Sequence, residues 1–453
     1  MKKIITQYIL CVSLVLFSLS FQNYFNIYNF NTSNVKNNIS YLSHDDLKGR
    51  LAGTLENKMA EKFVKDTFIK NNLIPFEGSY VQPFTIKYPK ALDNKPSLLV
   101  IDDNNNIVEE FNYGVDYKED FINFKVNETT FDKSHIKSSN ENTLIIKNDT
   151  ASIVFYATDS DDINFRSSFT TYSPFDLYIK IKMDELKNLN NFLDIGKSIY
   201  VYIPYEISET NVNNVMGYIK GSDSKKSPII LSCHFDHVGQ DILGNVYNGA
   251  LDNASGTAFL LEMINYIQKL GKPDRDILFV AFNAEEFGCV GSNEFLNKYK
   301  DKILESKLYN FDMIGSLEGV PLCIIGGDKD TKETALIKDL TKIFEEEKIY
   351  FNYLFENASD HEGFRRNNIE AVTLSDYDLS RIHTLDDNVE HIDEAAIKRC
   401  FNVISQELIR NYYKYNPLIY YNKQVFIVSI LGVFLFSYLY RKHENWIRNY
   451  MTY

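Results

Sequence analysis

The chain has 453 residues, 44% of them hydrophobic and 14% aromatic, which is enough for a large core and for more than one domain. Its formal net charge is -13 and no Lys/Arg-rich run lies in its central part, so the electrostatic footprint of a nucleic-acid binder is excluded. The five cysteines (Cys11, Cys233, Cys289, Cys323, Cys400) are odd in number and have no paired spacing, which argues against a disulfide framework or a cysteine zinc site.

Residues 1–21 open on Met1-Lys2-Lys3 and continue in an uncharged apolar run, which reads as a signal peptide or an N-terminal membrane anchor. Residues 22–45, rich in Asn and Tyr, read as a spacer. Residues 40–95 form the first part of the main domain. In it Thr54 is expected to cap a helix that carries Met59, Phe63, Val64 and Phe68 on one side, with Pro75 beyond its end. Residues 96–204 hold short β-type runs, "SLLVI", "TLIIK", "SIVFYA", "DLYIKI" and "SIYVYI", separated by Asp/Asn/Ser clusters; this is a β-rich insert without a catalytic cluster.

From 205 to 415 strands and helices alternate. "PIILSC", "ILFVAF", "KLYNFDMI", "PLCII" and "AVTLS" read as strands. Between them lie "SGTAFLLEMINYIQKL", a helix capped by Ser292, "TALIKDLTKIFEEEK" and "DEAAIKRCFNVISQELIRNYY". Continuous apolar strands between amphipathic helices predict an α/β fold, with a mostly parallel, mixed central sheet and helices on both faces. Residues 423–442 predict a transmembrane helix, because the stretch 425–440 within them is apolar on every face and lies between Lys423 and Arg441-Lys442. The basic tail 443–453 then lies in the cytoplasm and the body of the chain outside the cell membrane.

In such sheets ligands gather at the carboxyl ends of the strands. The first polar residues beyond those ends are His234, Asp236 and His237; then Asp252, Glu285, Glu286, Asp312 and His383. Imidazole and carboxylate suit divalent zinc, and two-metal sites use a carboxylate as a bridge. Asp252, Glu286 and Asp312 with one hydroxide carry the negative charge that two dications neutralise. Neighbouring side chains on an extended segment point different ways, so Glu286 can bind metal while Glu285 faces substrate as a base. Asp236, two residues past His234, is placed to accept the imidazole's other proton. His237 is ambiguous.

With "CHFDHVG", "NGALDNASGTA", "NAEEFGCVGS", "NFDMIG", "ASDHEGF" and "IHTLDD" in this order, the chain resembles the di-zinc exopeptidase family that includes bacterial leucyl aminopeptidases and glutamate carboxypeptidase. "LKGRLAGTLENKMAEKFVKDTFIKNNLIPF" is similar to that family as well, and the insert sits where many members carry a protease-associated domain. The resemblance implies two zinc ions per chain and peptide substrates. His234 and Asp312 would hold one ion and Glu286 and His383 the other, with Asp252 bridging. Glu285 would be the general base and Asp236 the partner of His234. Ser359 and Asp360 fall where the family contacts substrate. Ile382 stands where members often have Tyr, so an oxyanion-stabilising group would come from elsewhere, such as Tyr377 or Arg381. An aminopeptidase is the leading expectation. A di-zinc carboxypeptidase or dipeptidase, with Arg365, Arg366 or Arg381 as a carboxylate clamp, is the alternative, and a catalytically silent binding protein stands behind both.

Overall fold

The computed structural model describes residues 2–158, 162–317 and 320–451. Met1 of the leader and the last two residues of the tail lie outside the described residues. The main sheet has nine strands. Ile277–Phe282, Ile229–His234, Lys307–Phe311 and Glu370–Ser375 lie side by side and parallel, so their carboxyl ends share one edge. Tyr205–Ile219 joins this block antiparallel on one side, and Leu322–Gly326 does so on the other. The expected α/β class with a mixed sheet is what forms.

The unbroken apolar strands follow from cover on both faces. Ile229, Leu231, Cys233, Phe279 and Ala281 enter one core together with Thr32–Leu42, Gly256–Leu270 and Glu394–Tyr412. The intervening Ile230, Leu278, Val280 and Phe282 enter a second core with Val290–Ile303 and Phe364. Alternate side chains point to opposite faces, and here each face meets helices.

Three local expectations give way. Residues 22–45 are no spacer: Val35, Ile39 and Leu42 form a buried stripe on the helix Thr32–Leu42, spaced so that they share one face despite the asparagines around them. Thr54 does cap Leu55–Lys70, accepting the Asn57 N–H, but the stripe turns to Ala60, Val64 and Phe68 and leaves Met59 exposed. The helix expected to start at Ser292 begins at Val290, with the Ser292 hydroxyl bonded back to the Cys289 carbonyl.

The β-type runs of the insert build two further sheets around a separate core that contains Leu98, Val100, Phe121, Phe155, Ile179 and Ile199. A long antiparallel pair, Val81–Ala91 with Tyr205–Ile219, carries the chain out to the insert and back. The helices at the two chain ends, Lys2–Tyr28 and Asn422–Met451, lie together. Phe17, Phe21 and Tyr24 meet Phe426 at ring-centroid distances of 5.6, 6.2 and 5.6 Å. Ser20 Oγ lies 3.5 Å from Ser429 Oγ. Their outer faces expose Tyr8, Val15, Val428, Leu431 and Phe434. Both helices are long and apolar enough to cross a membrane.

Candidate metal centre

His234 ends its strand and Asp312 follows Phe311 at the end of the neighbouring one. Glu285 and Glu286 occupy a short 3-10 turn, Glu285–Phe287, entered through Ala284 in the left-handed region. This corrects the extended segment expected there: the turn, not strand alternation, separates the two carboxylates. Asp252 lies in the turn Ala250–Ser255 ahead of the helix Gly256–Leu270, and the Asp252-Asn253 peptide is cis. His383, at φ 54, comes from the loop beyond Glu370–Ser375.

These residues meet in two groups that share Asp252: His234, Asp252 and Asp312 in one, and His237, Asp252, Glu286 and His383 in the other. Asp252 turns one oxygen to each. Its Oδ1 is 3.5 Å from Nε2 of His234, and its Oδ2 is 3.2 Å from Nε2 of His383 and 3.7 Å from Nδ1 of His237. His234 Nε2 is 3.3 Å from Asp312 Oδ1, and His383 Nε2 is 3.0 Å from Glu286 Oε2. Ligands about 2.0–2.2 Å from one tetrahedral ion are separated by roughly 3.3–3.6 Å, and the spacings here, from 3.0 to 3.7 Å, bracket that range.

The electrostatics point the same way. Burial alone would push the His234 and His383 imidazoles down, but Asp312 and Glu285 around one, and Glu286 and Asp252 around the other, hold both well above their ordinary value. Burial opposes the Glu286 charge too, yet His383 and His237 hold its carboxyl well below the usual range. Glu285 goes the other way: burial and the neighbouring Glu286 raise it well above a normal carboxylate. So many acids gather at low exposure only if positive charge joins them, and the imidazoles supply part of it.

Around this cluster lie groups that hold its ligands. Asp236 accepts the backbone N–H of Glu285 at 3.1 Å and of Glu286 at 3.2 Å, fixing the turn. Its Oδ1 is 3.6 Å from His234 Nδ1, beyond hydrogen-bond reach, so the expected bond to the imidazole is not made. Asp387 accepts the N–H groups of Leu251 and Asp252. The Ser359 hydroxyl donates to Asp312 at 2.7 Å. Arg50 is fully buried and donates to the carbonyls of Leu42, Phe235, Asn248 and Gly249. Its location links the "GRLAGT" segment to the loops that carry His234, His237 and Asp252.

A pocket of about 200 Å³ opens onto the centre. Asp252, Glu285, Glu286, Asp312 and His383 line it, together with Ser168, Ser359 and Tyr377 and an apolar wall that includes Met313, Ile325, Leu379 and Ile382. Of the four residues expected at substrate, Ser359 and Tyr377 reach this pocket. Asp360 does not, being wholly buried, and Arg381 does not, lying 3.2 Å from Asp378. The Tyr377 hydroxyl donates to Glu356. His237 enters the centre through its Nδ1, 3.0 Å from Glu286 Oε1; its position directly after "HFD" was the only hint. Ser168 carried no signal, since it comes from the insert.

Residues 214–408 match Peptidase family M28. A glutamate carboxypeptidase 2 homolog of Caenorhabditis elegans is 35% identical over 129 residues, 27% of this chain and 16% of that protein. A vacuolar membrane protease of Debaryomyces hansenii is 26% identical over 258 residues, 51% of this chain and 23% of that protein. The chain therefore spans less than a quarter of the length of these curated relatives. Among solved structures, a zinc aminopeptidase from Bacillus subtilis superposes with a TM-score of 0.65 at 18% identity, covering 86% of this chain and 97% of that one, which establishes a shared fold. The resemblance read from the motifs is borne out.

Proposed function

We propose that this chain, whose residues 214–408 match Peptidase family M28, is a membrane-tethered zinc exopeptidase that removes N-terminal residues from peptides. The observation that carries the reading is Asp252, with one oxygen toward His234 and the other toward His383. His234 and Asp312 would hold one zinc ion, Glu286 and His383 the other, and Asp252 would bridge. Two such ions lower the pKa of a bound water and polarise the scissile carbonyl. Glu285 lines the pocket beside the candidate ligands and would act as the general base: it takes the water's proton as the water oxygen attacks the scissile carbonyl carbon, and returns it to the leaving amine as the C–N bond breaks.

The pocket favours a free amine at the substrate end. Its lining is acidic and, among the described residues, contains neither Lys nor Arg. A carboxypeptidase needs a cationic clamp. Arg365 is committed to Asp330, Arg366 to Glu362, and Arg381 meets Asp378. The apolar wall suits an apolar side chain on the residue removed.

Lys2–Tyr28 reads as a retained anchor, because its C-terminal part is built into the rest of the chain. Asn422 donates to the Ser20 carbonyl at 2.9 Å, and Ile27 and Phe30 enter the main core. The two helices run antiparallel, with Lys3 5.3 Å above the Tyr440 ring, so Lys3 and the Arg441-Lys442 pair fall on one side. By the charge bias of membrane proteins that side is cytoplasmic and the catalytic body is outside.

The test is zinc quantification combined with cleavage of an aminoacyl peptide and its N-acetylated twin. About two zinc ions per chain and loss of cleavage on acetylation are expected. Preferred cleavage of the acetylated peptide would move the assignment to the carboxypeptidase reading.

A further inference from the structure

The β-rich insert reaches into the metal centre. The Arg166 N–H donates to the His383 carbonyl at 3.0 Å, and His383 Nδ1 lies 2.8 Å from the Arg166 carbonyl. This pair of contacts leaves Nε2 of His383 for Asp252 and Glu286, and it steadies a residue held at positive φ. The Phe165 ring stacks on the His383 ring at 5.8 Å and 21°. Three residues on from Phe165, the Ser168 hydroxyl donates to Glu286 Oε2 at 2.9 Å and lines the pocket.

The segment is itself fixed from behind. The buried Arg166 guanidinium lies 3.7 Å from the centre of the Phe121 ring, donates to the Tyr205 hydroxyl at 3.1 Å and lies 4.0 Å from Glu119. Lys118, also buried, reaches out of the insert to Asp241 and the Tyr247 hydroxyl, both at 2.8 Å. Tyr247 in turn donates to the Asn164 carbonyl at 2.6 Å. Charges buried in this way are retained only when they are paired. Here the pairs join the insert to the loop between His237 and Asp252.

We propose that the insert completes the metal centre: Ser168 and the Arg166 main chain are positioning groups that hold Glu286 and His383, and through them the affinity of one of the two metal positions. The proposal rests on the zinc reading above and adds to it an asymmetry: the position held by Glu286 and His383 depends on the insert, and the one held by His234 and Asp312 does not.

The experiment strips the full chain with a chelator and titrates it with zinc, for wild type, Ser168→Ala and Ser168→Thr. Ser168→Ala is expected to weaken one of two zinc-binding steps about tenfold, leave the other unchanged, and lower kcat with little change in KM. Ser168→Thr keeps the hydroxyl and should restore both. Equal weakening of both steps, or no weakening of either, overturns the proposal. A wild-type chain that takes up no zinc overturns the reading of the site instead.

Discussion

The Asp387 carboxylate accepts the backbone N–H of Asp252 at 3.0 Å, and its other oxygen accepts that of Leu251 at 2.7 Å. Asp387 thereby clamps the main chain of the residue that faces both groups of candidate ligands, and belongs to neither group itself. Asp387→Ala leaves the two N–H groups unpaired in a buried turn. Zinc affinity measured by chelator competition should fall by about 10- to 100-fold at both positions, in contrast to the one-sided effect expected at Ser168.

Glu285→Gln keeps the shape of the side chain and removes its ability to take a proton. Turnover should drop about 10²- to 10⁴-fold while zinc content stays at the wild-type level. A variant that retains full turnover would transfer the role of base to another group.

Arg50 is predicted to hold the centre together from below. Burial lowers its guanidinium to about 10, with Asp252, Asp387, Asp236 and Glu286 opposing that fall, so it stays charged at neutral pH. Arg50→Met leaves four carbonyls without their donor and removes the counter-charge, and should destabilise the chain by about 3–5 kcal/mol in denaturant titrations. Arg50→Lys should rescue it only in part, because a three-donor ammonium cannot reproduce the planar fork.

Asp360 gives a pH signature. Burial, opposed by His234 and aided by Asp312 and Asp236, lifts its carboxyl from 3.8 to about 7. A raised folded-state pKa means that the folded chain holds the proton more tightly. The contribution to stability is complete below the unfolded value and is lost as pH rises through the folded one. The metal-free chain should therefore lose up to about 4 kcal/mol from this group as pH climbs across that window. Asp360→Asn should lose that slope. Urea midpoints of both chains across the window, in chelator, measure the difference.

Much of the centre was legible because its residues sit where the chain has no freedom to hide them. His234 ends one continuous apolar strand, Asp312 directly follows another and Glu286 lies four residues past a third, and parallel pairing of those strands puts their ends on one edge. Asp360 was expected at the pocket because it falls, with Ser359, where the resembled family contacts substrate. The short helix that starts at His361 turns it inward, and only Ser359 stays at the rim. The Thr32–Leu42 helix was missed because polar residues, three asparagines among them, outnumber the three buried residues that decide its fate.

By itself the sequence determined the sheet, the order of the ligands and the apolar termini, since each of these depends on local periodicity and on burial along a single stretch of chain. Only the tertiary structure decided that the two oxygens of Asp252 look opposite ways, that His237 stands beside Glu286, and that Arg166 and Ser168 of the insert support His383 and Glu286. Such contacts join residues far apart in the chain through hydrogen bonds of fixed length and direction. No pattern of neighbouring residues encodes them, and they exist only once both layers have packed.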